Sequence, residues 1–235
     1  MNVLAEGVTL DECELRTDKF NVHALWEWTN YKVSVYELPL EPHETCIGAI
    51  LSEFHECCRE VNYTDASIIN LGATRTRVDR SGKGADASFR PMKPRVPAPT
   101  GSDGNRKSWP NIIVEVAYIE SIEYVFDKVR NYWLKDLSRA HDAIVVKIDP
   151  ISDLHACKRT RNGPIQHRTH FEFGTHDGAG DPLNILQGTC LIKIDLDCLY
   201  HQAHPDVRIP RTILPDSIVL DFFFVRDEIL CAYRV

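Results

Sequence analysis

Apolar and thiol side chains at Ile47, Ile50, Leu51, Phe54, Cys58 and Val61 recur at the spacing that lays one face of an α-helix on a core, predicting a helix over 45–61. A second stripe follows Ser121, a residue suited to capping a helix: Ile122, Val125, Phe126, Val129, Trp133 and Leu137 fall on one side of a helix from 122 onward. Continuous or alternating apolar runs predict strands in ASIINLG (66–72), GADASFRP (84–91), NIIVEVAY (111–118) and AIVVKIDP (143–150). A shorter strand is expected in TNYKVSVYELPL, with Val33 and Val35 on one face, and further strands in FEFG, TCLIKIDL, SIVLDFFFV and LCAYRV. The acid-rich first 30 residues show no clear period. Between the second and third strands lies PMKPRVPAPTGSDGNRKSW, a Pro- and Gly-rich loop too long for a simple turn, which reads as a functional loop.

Helix, three strands, helix and strand thus follow one another within about 105 residues, the order of an α/β core. The expected organisation is an N-terminal segment (1–30), a core (31–150) and a β-rich C-terminal extension (151–235) packed on the same core, since no flexible linker divides them. At 235 residues and 43% hydrophobic content the chain can fill a substantial core. No apolar run reaches the roughly 18 residues of a membrane span, and the acid-containing start lacks a signal-peptide pattern, so the expected location is intracellular, cytoplasmic or nuclear, without a membrane partner. Eight cysteines without a CxxC pair fit reduced, buried thiols.

The net charge of −7 argues against indiscriminate nucleic-acid binding, but its distribution is uneven. From Thr74 to Lys107 stand Arg75, Arg77, Arg80, Lys83, Arg90, Lys93, Arg95, Arg106 and Lys107 against Asp79, Asp86 and Asp103, so this stretch carries +6 and the rest −13. Lys158, Arg159, Arg161 and Arg168 form a second basic group. Such segments either meet phosphates or are solvated loops.

WPNIIVEVAYIES sets one carboxylate, Glu115, inside an apolar strand. Asp86 lies on the preceding strand; if the two strands pair as a hairpin, both carboxylates converge at one end of a sheet. Paired carboxylates supply the oxygen ligands that Mg²⁺ or Mn²⁺ takes, with positions left for water and a phosphate oxygen. On the helix that follows, counting Ile122 as 0° at about 100° per residue, Lys128 falls near 240°, on the flank of the apolar stripe. There it either shields the helix edge with its stem or brings its ammonium over the carboxylates, with Tyr132 one turn on. His155, Cys157, His167 and His170 form an alternative Zn²⁺ set whose spacing matches no common finger. Asp221 in SIVLDFFFV repeats the puzzle of an acid in an apolar strand but has no recognisable partner, so a structural role is expected.

The core resembles the PD-(D/E)XK restriction-endonuclease-like superfamily, and more closely its Uma-type branch. The resemblance covers about residues 30–150 and rests on ELPLEPHETCIGAILSEF (37–54), GADASFRP, WPNIIVEVAYIES and FDKVRNYWLKDLSRAHDAIVVKIDP in that order. It implies an α/β fold with a mixed sheet flanked by helices and a Mg²⁺-dependent endonuclease acting on DNA phosphodiesters, with homodimerisation left open. Asp86 and Glu115 are then metal ligands, with the Val116 carbonyl a third, and Glu53 or Glu56 on the first helix assists. The superfamily's lysine two positions after the Glu is absent, Ala117 standing there, and Lys128 fits a displaced version of it. Ala85 replaces the usual proline before the Asp. DNA is then guided by Arg75, Arg77, Arg80, Lys83, Arg90, Lys93 and Arg95 and by residues 106–107. The alternative is a nuclease-fold protein without catalysis, acting in nucleic-acid binding or assembly.

Overall fold

The structure, a computed structural model, describes residues 2–20, 26–35, 40–64, 66–73, 75–78, 81–92, 109–135, 138, 140–148, 154–160, 169–177, 179–201 and 209–233. Strand β1 (Asn2–Glu6) and helix α1 (Leu10–Phe20) precede a hairpin of β2 (Trp26–Thr29) and β3 (Lys32–Val35). The hairpin turns through Asn30 and Tyr31, both at positive φ (50° and 65°), as a two-residue connection between right-twisted strands demands.

Helix α2 (Glu41–Cys57) begins earlier than the apolar stripe alone predicts. Pro42 suits a first helical turn, where no intrahelical N–H bond is lost, and Glu41 and Glu44 oppose the positive end of the helix. Four short strands follow: β4 (Ile68–Asn70), β5 (Arg75–Val78), β6 (Ser81–Gly84) and β7 (Ala87–Pro91). The stretch expected as one strand over 84–91 is therefore broken, and Asp86 stands in the break.

After β8 (Ile112–Ala117), Ser121 caps helix α3 (Ile122–Lys128), its Oγ accepting from the Tyr124 N–H at 3.3 Å. The helix widens into a π-helical turn at Val129–Trp133, and the Leu134 N–H reaches the Val129 carbonyl at 2.9 Å. Strands β9 (Asp142–Ile148), β10 (Leu154–Thr160) and β11 (Thr169–Glu172) come next, followed by β12 (Leu191–Asp195), the short α4 (Leu196–Leu199), β13 (Ser217–Asp221) and α5 (Phe222–Tyr233).

The central sheet runs β11-β10-β9-β8-β7-β4. It is mixed: β8 and β9 are parallel, joined through α3, and the other pairings are antiparallel. Both faces are covered, which explains why β8 reads as a continuous apolar run rather than an alternation. Ile112, Val114 and Val116 join α2, where Phe54 stacks on Phe89 of β7 with ring centroids 3.8 Å apart, whereas Ile113 and Ala117 join the α3 side with Val125, Val129 and Trp133. A second, antiparallel sheet of order β1-β3-β2-β6-β5 unites the first 35 residues with residues 75–84.

Beyond residue 150 the described residues form four strands, β10 and β11 extending the central sheet and β12 pairing with β13, together with α4 and α5. Residues FFFV and LCAY, expected as strands, form α5, because Phe222, Val225 and Ile229 then share one buried side. Asp221 is the joint: one carboxylate oxygen accepts from the Phe223 N–H at 3.1 Å and the other from the Gly188 N–H at 2.7 Å, so its role is structural. No helix among the described residues is long and apolar enough to cross a membrane.

Candidate functional site

Glu115 points from β8 to the α3 side, the same side as Ile113 and Ala117, and is only 2% exposed. The hairpin expected from sequence is present: β7 pairs antiparallel with β8, ending at Ala87 opposite Val114. Asp86 stands one residue beyond that pair and turns its carboxylate to β8, where Oδ2 accepts from the Val116 N–H at 2.6 Å. Its other oxygen faces His43 Nε2 of α2 at 3.6 Å, while His43 Nδ1 lies 3.0 Å from Glu44 Oε1. The negative charge of Asp86 is felt at Glu115.

Helix α3 brings Lys128 over this pair. Its stem is buried along the helix flank, and Nζ lies 2.8 Å from Glu115 Oε2. The small Ala117 leaves the adjoining place on the strand without a side-chain amine. The π-helical turn then places Trp133, whose indole N–H donates to Glu115 Oε1. Both oxygens of Glu115 are thereby engaged, one by a cation and one by a neutral donor.

A residue that the sequence did not single out completes the network. Glu27, on β2 of the second sheet, has Oε1 3.0 Å from Lys128 Nζ. Its Oε2 accepts from the Tyr124 hydroxyl at 2.8 Å and pairs with the Lys83 ammonium. Tyr132, expected beside Lys128, anchors the same corner: its hydroxyl donates to the Thr76 carbonyl at 2.6 Å and accepts from the Lys83 N–H at 3.2 Å. The one hint of Glu27 in the sequence was its setting between Trp26 and Trp28, an acid in an aromatic strand, the same anomaly as Glu115.

Two glutamates thus face two lysines in a nearly dry interior. Burial works against ionising Glu27, but the ammoniums of Lys128 and Lys83 prevail and bring its carboxyl down to about 2. For Glu115 burial dominates, pushing the carboxyl up to about 8 against the pull of Lys128, with Asp86 adding to the rise. Burial would lower Lys128, yet the carboxylates of Glu115 and Glu27 outweigh it and hold the ammonium well above its usual range.

Two predictions arise directly. Because Glu27 has a folded-state pKa of about 2 against a usual 4.5, its contribution to stability is complete above about 4.5 and is lost as pH falls toward 2. Urea unfolding of Glu27→Gln at a series of pH values is expected to show a stability deficit at neutral pH that narrows across that window; a deficit independent of pH would refute the ion-pair assignment. Trp133→Phe leaves Glu115 Oε1 buried without its donor and is expected to cost roughly 1–3 kcal/mol in the same assay. Unchanged stability would show that the indole N–H does not hold the carboxylate.

The other sequence-predicted residues distribute as follows. Lys83 is not a surface cation, since its ammonium is used by Glu27. Arg90 is buried and donates to the carbonyls of Pro91 (2.7 Å) and Met92 (3.2 Å), because the β7 strand that carries it is covered on both faces. Neither is placed to meet a phosphate. Arg75 and Arg77 lie on β5, the edge of the second sheet, whereas Arg80, Lys93, Arg95, Arg106 and Lys107 lie outside the described residues. In the second basic group, Lys158 is buried against Asp142 Oδ2 at 3.0 Å and Arg159 lies over the Phe126 ring at 4.0 Å. Glu53 and Glu56 stand on the last turns of α2, ten or more residues and roughly 15 Å of helix from His43. There Glu53 feels Asp221 and Glu56 pairs with Arg59, so Glu27 is the additional acid at Lys128.

For the zinc set, Cys157 of β10 pairs in register with His170 of β11, and the His155 and His170 rings stack at 5.7 Å; His167 lies outside the described residues. These residues line a cleft with Ile122, Phe126 and Lys147. The tight His/Cys/Asp group among the described residues is a different one: His141, Asp142 and Cys198.

The donor types around Asp86 and Glu115 suit a hard divalent cation. Glu27 and Asp86 balance Lys83 and Lys128 while the Glu115 carboxyl, pushed up to about 8, keeps its proton, and the Asp86 side chain is 18% exposed. Each Glu115 oxygen has a second lone pair beyond its bond to Lys128 or Trp133, and the side chain is 2% exposed.

No family model matches the chain, and no curated protein matches it. Among solved structures the chain is similar to one described as a "putative nuclease belonging to DUF820", from Anabaena variabilis, with a TM-score of 0.47 and 12% identity over 66% of this chain and 83% of that one.

Proposed function

We propose that the protein is a metal-dependent endonuclease that hydrolyses DNA phosphodiester bonds, with Asp86, Glu115 and Lys128 as its working residues. The observation that carries this reading is the meeting of Lys128 Nζ with Glu115 Oε2 at 2.8 Å, beside Asp86, at the end of the β7–β8 pair. The superfamily resemblance assigns a lysine to this place, and here it comes from the helix after the strand rather than from position 117.

Asp86 and Glu115, with the Val116 carbonyl as a third oxygen, would hold Mg²⁺ or Mn²⁺. When bound, such an ion polarises a phosphoryl oxygen and lowers the pKa of a water molecule. Lys128 positions the attacking water and offsets charge on the phosphate. Glu27 fixes the ammonium from its other side, Trp133 fixes the Glu115 carboxylate, and the Val116 N–H fixes Asp86, so each reacting group has a second restraint. DNA would be guided by the basic residues of the 75–107 stretch, Arg75 and Arg77 of β5 among them.

A second reading, a nuclease-fold protein without catalysis that acts in nucleic-acid binding or assembly, is favoured by one observation. Both Glu115 oxygens are already bonded within the protein and the side chain is almost wholly buried. Incubation of the purified protein with supercoiled plasmid and single-stranded DNA, with Mg²⁺ or Mn²⁺ and then with chelator, separates the two. Metal-dependent cleavage that Glu115→Gln abolishes supports the nuclease. DNA binding without cleavage supports the second reading, and equal cleavage by both proteins removes the site assignment.

A further inference from the structure

The parallel register of β8 and β9 sets Glu115 opposite Val145 and Ile112 opposite Asp142. Asp142 therefore begins β9 three residues, roughly 10 Å, away along the strand from the level of Glu115. A second polar cluster lies at that end of the sheet. His141, Asp142 and Cys198 are all buried, and each offers a ligand atom within 4.8 Å of the others. His141 and Asp142 come from the start of β9 and Cys198 from α4, so the cluster spans the junction of the central sheet with the C-terminal helix-and-hairpin unit.

The polar groups of this cluster gather around Asp142, whose neighbours are His141, Cys198, Thr160 and Lys158. His141 Nδ1 and Asp142 Oδ1 face each other at 3.5 Å, too far for a good N–H···O bond, and both are fully buried without a well-formed hydrogen bond among the described residues. Two nitrogen or oxygen donors on a tetrahedral ion with bonds of about 2.0–2.1 Å lie roughly 3.3–3.4 Å apart, close to that spacing. Drawing the Cys198 thiol into the same sphere takes a side-chain movement of about 1 Å. The His201 ring lies 4.4 Å from that of His141, outside the group whose ligand atoms are mutually within 4.8 Å.

We propose that His141, Asp142 and Cys198, with a water molecule in the fourth position, bind one Zn²⁺ ion that clasps the start of β9 to α4. Sulfur, imidazole and carboxylate donors select zinc over magnesium. Thiolate and carboxylate offset the two charges of the ion, leaving the site with the single positive charge of Lys158, and the thiol proton passes to solvent as the zinc–sulfur bond forms. Lys158, 3.0 Å from Asp142 Oδ2, stays on the carboxylate oxygen that does not face the ion, the place of an outer partner that orients a ligand. The site is separate from Asp86 and Glu115 and stands whether or not the protein cleaves DNA. It is also distinct from the His155, Cys157 and His170 group on β10 and β11.

Titration of the chelator-stripped full chain with Co²⁺, followed by absorption, tests the proposal. One equivalent is expected to give a thiolate-to-cobalt charge-transfer band with tetrahedral d–d bands, both displaced by Zn²⁺. Cys198→Ser should lose the charge-transfer band and Cys157→Ser should keep it. Zinc should raise the thermal midpoint of the wild type and leave that of Cys198→Ser unchanged. Absence of the band in the wild type would overturn the site. A band that survives Cys198→Ser and disappears in Cys157→Ser would overturn it equally, by moving the metal to the other cluster.

Discussion

Above about pH 8, where the Glu115 carboxyl is ionised, Lys128→Met is expected to destabilise the protein by about 3–5 kcal/mol. The methionine fills much of the same volume, so little packing is lost. What remains is electrostatic: Glu115 loses the ammonium at 2.8 Å and Glu27 loses the one at 3.0 Å, while both carboxylates stay buried. Glu27 retains Lys83 and the Tyr124 hydroxyl, whereas Glu115 retains only the Trp133 N–H among its described hydrogen bonds. The double variant Lys128→Met with Glu115→Gln should therefore recover part of the loss, since an amide is far cheaper to bury than an unpaired carboxylate. Urea denaturation of wild type, single and double variants gives the coupling energy directly. Additive losses would mean that the two side chains do not interact as the geometry shows.

Asp86→Asn is the second large effect, and it falls on activity rather than stability. An asparagine oxygen can still accept from the Val116 N–H, and its amide can face His43 Nε2, so the local hydrogen bonding survives. The lost charge removes half of the proposed cation site. Since a bound metal supplies several kcal/mol of transition-state stabilisation, cleavage should fall by at least about 100-fold while the unfolding midpoint shifts little. A large loss of stability instead would make Asp86 a structural residue of the β7–β8 end.

Much of the central sheet and its two covering helices was legible in the sequence because those elements carry local periodicity. The α2 and α3 stripes and the continuous apolar run of β8 each report burial through residues close in the chain. The pairing of Asp86 with the Glu115 strand was legible because a hairpin, even one with a long loop, joins strands that are neighbours in order. Lys128 could be placed because it shares a helix with the stripe that packs on that strand.

What the sequence hid was non-local or ambiguous in period. Glu27 reaches Lys128 across 101 positions through a sheet that joins the first 35 residues to residues 75–84, and nothing in its neighbourhood announces that partner. Lys83 and Arg90 counted as surface charge because a linear sum cannot see that one ion-pairs with Glu27 and the other turns back onto its own strand's carbonyls. The run FFFV satisfies a strand and a helix alike, and the choice was made by Asp221 capping the turn into α5. The π-helical turn that aims Trp133 at Glu115 follows from backbone geometry that side-chain periodicity does not encode.

The most direct test of the central claim is the single-turnover rate of plasmid cleavage in Mg²⁺ by wild type and Asp86→Asn, with folding of both verified by their unfolding midpoints. A metal-dependent wild-type rate that falls at least about 100-fold in the variant is the predicted result. Equal rates in the two proteins, or cleavage that persists in chelator, would contradict a cation site at Asp86 and Glu115.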